Sequence, residues 1–146
     1  MPDAGAQAHS ENLIALIVEE IAAAGGHISF ARYMELALFA PGLGYYSAGA
    51  SKFGEQGDFV TAPEISPLFS RALARQVADV LTTIENSELL EVGGGTGMMA
   101  AEILAELETL NALPVRYAIL ELSADLQARQ RQTISARVPH LLSRGR

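Results

Sequence analysis

Residues 88–100 read Glu-Leu-Leu-Glu-Val-Gly-Gly-Gly-Thr-Gly-Met-Met-Ala. A short apolar run meets a glycine cluster, and a helical pattern starts directly behind it. That order dictates a strand, a tight turn and a helix, and no other stretch limits the fold so closely. Gly93, Gly95 and Gly97 can take positive φ, and without a Cβ they leave a floor on which another molecule can rest. The amide N–H groups of the helix start point at that floor, and the helix dipole adds a weak positive potential.

Two details bear on the ligand. A dinucleotide fingerprint, G-x-G-x-x-G, needs glycine at position 98, where this chain has Met98; the third glycine comes one place early, at 97. Glu91 stands two residues before Gly93, where a carboxylate repels a pyrophosphate and suits a cation. Glu91-x-Gly93-x-Gly95-x-Gly97 resembles the first motif of the class I S-adenosylmethionine methyltransferases, whose cofactor carries an ammonium and a sulfonium. A nucleotide site and a turn without a ligand are the alternatives. Glu91 has two open roles: to lie near the positive methionyl end of such a donor, or to brace the turn by accepting backbone N–H bonds.

Behind the turn the pattern alternates. The helix is expected to end near Asn111, with Met99, Ile103, Leu107 and Leu110 toward the sheet and Glu102, Glu106 and Glu108 toward water. After Pro114, Tyr117 to Leu120 is a continuous apolar run, as expected of a parallel strand covered on both faces. Ser123 or Asp125 then opens a helix from Ala124 to about Ile134. The result is a βαβ unit with an extra helix and a right-handed crossover. Ligands of such sheets bind beyond the carboxyl ends of the strands, where Gly93 to Gly97 and Glu121 both fall. Glu121 is placed to accept hydrogen bonds from both hydroxyls of a ribose; its alternative role is a charge at a helix start.

Ahead of this unit the chain reads as helical. Residues 1–9 are expected as a disordered tail. Ser10 can cap a helix carrying Leu13, Ile14, Ile17, Val18 and Ile21, which Gly25-Gly26 stops. Ser29 caps a second helix, Phe30 to Phe39. Gly42 to Tyr46 reads as a turn into an extended piece, Ser47 to Gly57 as a loop, and Gly57-Asp-Phe-Val-Thr-Ala-Pro-Glu64 as an extended run ending in a turn. Ser66 and Pro67 open a long helix to about Ile84, with Leu68, Phe69, Leu73, Val77, Val80, Leu81 and Ile84 as its buried stripe and Arg71, Arg75 and Asp79 outward. The expected division is a tail (1–9), a helical cap segment (10–66) and a partial Rossmann-like domain (67–146).

Composition removes several functions. Net charge is −7 and the isoelectric point about 4.9, so there is no electrostatic footprint for nucleic acid. Cysteine is absent and the three histidines are far apart in sequence, which argues against disulfides and a metal site. No segment is long and apolar enough to span a bilayer. Met1 to His9 carries no signal-peptide or presequence features, so the cytoplasm is the expected location. After Asp125 there are five arginines and no acid, a solvated face or a docking surface.

A closer resemblance rests on three motifs in order: Ile28 to Tyr46 (ISFARYMELALFAPGLGYY), Gly57 to Ser66 (GDFVTAPEIS) and Glu91 to Gly97 (EVGGGTG). Together they resemble the N-terminal half of the MidA-like methyltransferases, a family that includes the mitochondrial complex I assembly factor that methylates an arginine of a complex I subunit. The resemblance implies a class I methyltransferase fold, S-adenosyl-L-methionine as donor and a protein arginine as acceptor. Carried over, Glu91, Gly93, Gly94, Gly95 and Gly97 would line the donor, Glu121 would hold its ribose, and Thr61 to Glu64 would wall the cleft, with Thr61 near the donor. Glu64 is the candidate for the acceptor's charge or proton. The family often has Ser where this chain has Ala62, which removes a hydroxyl. Members are considerably longer, so a truncated fragment, or a partner chain supplying the rest, is expected. A non-catalytic module for a respiratory-complex subunit and a nicotinamide oxidoreductase fragment are the alternatives; Met98 counts against the latter.

Overall fold

Alanine-rich sequence ahead of Ser10 continues the first helix instead of trailing from it. In the computed structural model, which describes residues 4–48 and 60–142, α1 runs Ala4–Ala23 and α2 runs Phe30–Phe39. Residues 4–9, expected as a tail, are therefore helical: Ala4, Ala6 and Ala8 favour helix, and Gln7 donates to Glu11 at 3.3 Å. Gly26 ends α1 at φ 99°, its N–H bonded to the Ile21 carbonyl at 2.8 Å. Ser29 caps α2 as expected, accepting from the Arg32 N–H. Arg32 ties the two helices through Glu20 at 2.8 Å. Residues 41–48 form turns, not an extended piece, because the Tyr45 and Tyr46 N–H groups bond back to Ala37 and Leu38 at 2.9 and 2.8 Å. Most of the Ser47–Gly57 loop, and Gly57-Asp58-Phe59 of the motif after it, lie outside the described residues.

The chain divides into two compact units after Ala50. The second holds α3 (Ala62–Ile65), α4 (Pro67–Leu81), β1 (Glu88–Val92), α5 (Met98–Thr109), β2 (Arg116–Leu120), α6 (Ala124–Arg137) and α7 (Pro139–Leu142). Pro63 in a first helical turn makes 62–65 a single turn of helix where an extended run was expected. α3 packs on α4 and α5 within this unit. β1 and β2 pair in parallel, from Glu88↔Arg116 to Val92↔Leu120, which gives the anticipated βαβ unit.

The buried face of α4 departs from expectation. Ser70, Ala74, Ala78 and Leu81 are buried, while Leu68, Phe69, Leu73, Val80 and Ile84 are exposed. Small side chains let α4 approach α5 closely, packing on Ile103 and Leu107. Arg71 and Arg75 reach across to Glu102 and Glu106 at 3.3 and 3.0 Å. Glu102, expected toward water, is thereby buried, and Arg137 of α6 reaches its other oxygen at 2.5 Å. Leu110, expected inward, is exposed at the helix end.

The helices cover one face of the sheet, where Leu89, Tyr117 and Ile119 join the core. The opposite face leaves Leu90 64%, Val92 72% and Leu120 55% exposed. β2 was expected to be covered on both sides; among the described residues of this unit nothing lies across this face. No helix among them is long and apolar enough to cross a membrane.

Candidate functional site

The two strands finish side by side, and the Gly93 N–H donates to the Leu120 carbonyl at 2.9 Å. Immediately beyond, Gly93, Gly95 and Gly97 take φ of 72°, 52° and 83°, values that L side chains adopt at a cost. The Gly97 N–H closes the bend on the Gly94 carbonyl at 2.8 Å, and Gly97 caps α5. A Cβ at 94 would lie 2.8 Å from Ile119 Cγ2, and one at 97 would lie 2.8 Å from the Gln130 Cα; one at 93 would meet nothing within 4 Å. The bend is packed from beneath and open above Gly93.

Glu121 follows β2 directly. Its Oε1 accepts from the Ser123 N–H at 2.9 Å and its Oε2 from the Gln130 amide at 3.3 Å. A carboxylate offers about four acceptor sites, so this one is oriented yet retains capacity on both oxygens. Glu121 also precedes α6, whose cap is Ser123, so its two proposed roles, sugar holder and helix-start charge, are compatible.

Glu91 lies under the bend, 6% exposed, its carboxyl carbon 3.5 Å from where a Gly94 Cβ would be. The Tyr117 hydroxyl donates to its Oε2 at 2.7 Å, diagonally across the strand pair. Burial raises the carboxyl above its usual range, and the tyrosine bond pulls it partly back. Burial, and then the Glu91 charge, push the Tyr117 hydroxyl upward. Glu91 thus cross-ties β1 to β2, a partner that neither of the two roles read from sequence included.

The 61–64 segment also reaches the bend: the Thr96 hydroxyl donates to Glu64 Oε1. Thr61 stands one turn back as the α3 N-cap position; its side chain makes no capping bond, and its carbonyl accepts from the Glu64 N–H at 2.9 Å. The glycines, Glu91, Glu121 and Glu64 are therefore brought to one place. His140 of this unit lies away from the bend, beside Glu108, and His9 of the first unit lies beside the Leu43 carbonyl.

Sequence reasoning missed two residues here. Tyr117 was read only as apolar. Gln130 lies in a polar helix, yet Leu126, Gln130 and Ile134 are its three buried residues, and their i, i+4, i+8 spacing is the signal that was available.

Known proteins place the arrangement in context. A model of S-adenosyl-L-methionine-dependent methyltransferases matches residues 72–144, half of the chain. The mitochondrial protein arginine methyltransferase NDUFAF7 of Bos taurus is 35% identical over 91 residues, covering 60% of this chain and 20% of that protein. Its Danio rerio counterpart is 37% identical over 93 residues, covering 62% and 22%. A COG1565 superfamily member from Burkholderia thailandensis, crystallised with S-adenosyl-homocysteine, superposes on all of this chain with a TM-score of 0.85 and 50% identity. The fold is thus part of a Rossmann-like methyltransferase. The chain spans 39% of that crystallised protein and about a fifth of the two curated relatives.

Proposed function

Since this chain belongs to that family of S-adenosyl-L-methionine-dependent methyltransferases, we propose that its second unit carries the donor side of a methyl-transfer site acting on a protein arginine. One observation carries the reading: a backbone bend open above Gly93, beside a pre-oriented carboxylate, Glu121, at the tip of the neighbouring strand.

The residues fit the donor. Gly93, Gly94, Gly95 and Gly97 supply bare backbone, and Glu121 takes the ribose hydroxyls through its free acceptor capacity. Glu91 fixes the strand tips from below, and Thr61 closes the side. Negative charge from Glu64 and Glu121 around one bend suits a cationic nucleoside over a pyrophosphate. When bound, S-adenosyl-L-methionine supplies an electrophilic methyl on its sulfonium. The chain's own contribution is proximity and alignment. Glu64 holds Thr96 and so sets α3 against the bend. A guanidinium is protonated near neutral pH, and Glu64 is the carboxylate we place to localise its charge. The acceptor follows from the relatives, which are protein arginine methyltransferases; a complex I subunit, from the family resemblance, is the first protein to try.

Calorimetric titration of the 146-residue chain with S-adenosylmethionine, S-adenosylhomocysteine and NAD tests the reading. Both sulfur nucleosides should bind and NAD should not. Glu121→Ala should weaken them by about 1–3 kcal/mol, the cost of lost charge-assisted bonds, or roughly 5- to 150-fold. Absence of nucleoside binding sinks the proposal, and an unchanged dissociation constant in the variant removes Glu121 from the site.

A further inference from the structure

We propose that Gln130 is a positioning residue that sets the Glu121 carboxylate for the donor's sugar and ties it to the glycine bend, an inference that rests on the donor site proposed above. Gln130 is 4% exposed. It holds the middle place of the α6 face between Leu126 and Ile134, where a leucine would bury more apolar surface and need no partner. A buried carboxamide is costly unless it is hydrogen-bonded. Its Nε2 donates to the Gly95 carbonyl at 3.1 Å and to Glu121 Oε2 at 3.3 Å. Its stem packs under the bend, with Cβ and Cγ 3.2 and 3.3 Å from where a Gly97 Cβ would lie. One side chain therefore touches both halves of the donor site, which come from the ends of different strands.

The consequence concerns orientation. Glu121 is held at one oxygen by the Ser123 N–H and at the other by Gln130, so its plane is fixed before any sugar arrives. Remove Gln130 and the carboxylate keeps one tether and can rotate. It must then be ordered again on binding, and pre-organisation of this kind is what affinity loses. That loss falls on ligands carrying the ribose diol and spares those without it, whereas general loosening of the helix would weaken both alike.

The test compares S-adenosylhomocysteine with its 2′,3′-dideoxy analogue, titrated calorimetrically into the 146-residue chain and its Gln130→Met variant. The wild type should prefer the diol compound by about tenfold or more. In Gln130→Met that preference should fall by about 5- to 10-fold, with the dideoxy compound moving less than about twofold. In a Glu121→Ala background the same substitution should leave the preference unchanged, because its route is gone. Equal weakening of both ligands, or an unchanged preference, overturns the role of Gln130 and leaves the donor site standing. A wild type that binds neither compound overturns the donor site and this inference with it. Should Gln130→Met fail to fold, Gln130→Asn, which keeps the amide but shortens its reach, should show the same selective loss.

Discussion

The bend makes opposite demands at its two outer glycines, and paired alanine substitutions read them separately. Gly93 and Gly97 have similar φ, 72° and 83°, so each pays about 1–2 kcal/mol for an L side chain in the left-handed region. They differ in surroundings. The Gly97 Cβ would sit 2.8 Å from the Gln130 Cα, a backbone atom that cannot swing aside, whereas the Gly93 Cβ meets open space. Overpacking of that kind adds about 1–3 kcal/mol. Gly93→Ala should therefore lose about 1–2 kcal/mol, and Gly97→Ala about 2–5 kcal/mol. The larger figure is a substantial part of the roughly 5–15 kcal/mol of a domain this size. Urea unfolding followed by far-ultraviolet dichroism measures both, with unchanged slopes licensing the comparison. Binding should run the other way. Gly93→Ala stays folded but places a methyl where the donor would rest, so calorimetry should show affinity for S-adenosylhomocysteine lost by more than its stability cost suggests. If Gly93→Ala is as destabilising as Gly97→Ala, or binds like wild type, the open side of the bend has been misassigned.

Three further outcomes follow from the packing. Because burial raises the folded-state Glu91 carboxyl above its ordinary value of 4.5, its contribution is fully present below that pH and is lost as pH rises through the folded value. Unfolding across pH should therefore show wild type losing stability relative to Glu91→Gln over that window; a gap constant with pH refutes it. Glu102→Ala removes the buried carboxylate and frees two half-exposed arginines to water, so it should cost only about 1–2 kcal/mol in denaturant melts, the range of an ordinary lost interaction. Arg71→Ala with Arg137→Ala strands the charge and should cost about 3–5 kcal/mol, and equal costs would contradict the burial of Glu102. The open apolar sheet face should bind a hydrophobic dye such as ANS. Leu90→Lys with Leu120→Lys should abolish most of that signal without moving the melting temperature by more than a few degrees, and an unaltered signal would place the exposed surface elsewhere.

What the sequence made legible was local. Ser29, Ser66 with Pro67, and Ser123 each begin a helix, because a hydroxyl accepting an N–H acts within three residues of its own position. The glycine bend and both strands were readable for the same reason. Burial was not, since it depends on what lies opposite. The leucines of α4 look like a core stripe, yet its alanine face is buried because α5 approaches closely there. The start of α1 was missed for want of a strong cap, although its alanines hold the helix.

The carboxylates show why the site was only partly visible. Glu91, Glu102 and Glu121 all border short apolar runs, and nothing in composition separates them. Their partners do. Glu102 faces two guanidinium groups, so its charge is already met. Glu91 is buried against a neutral hydroxyl and is pushed toward protonation. Glu121 is half-buried and held by two uncharged N–H donors, which orient the group without neutralising it. An oriented, uncompensated carboxylate with spare lone pairs at a strand tip gains most from an incoming hydroxyl or cation. Position relative to the strand end proposed Glu121 from sequence. What the fold adds is its orientation, by the Ser123 N–H and by Gln130, a residue nine positions further on that reaches it only once α6 is folded against the bend.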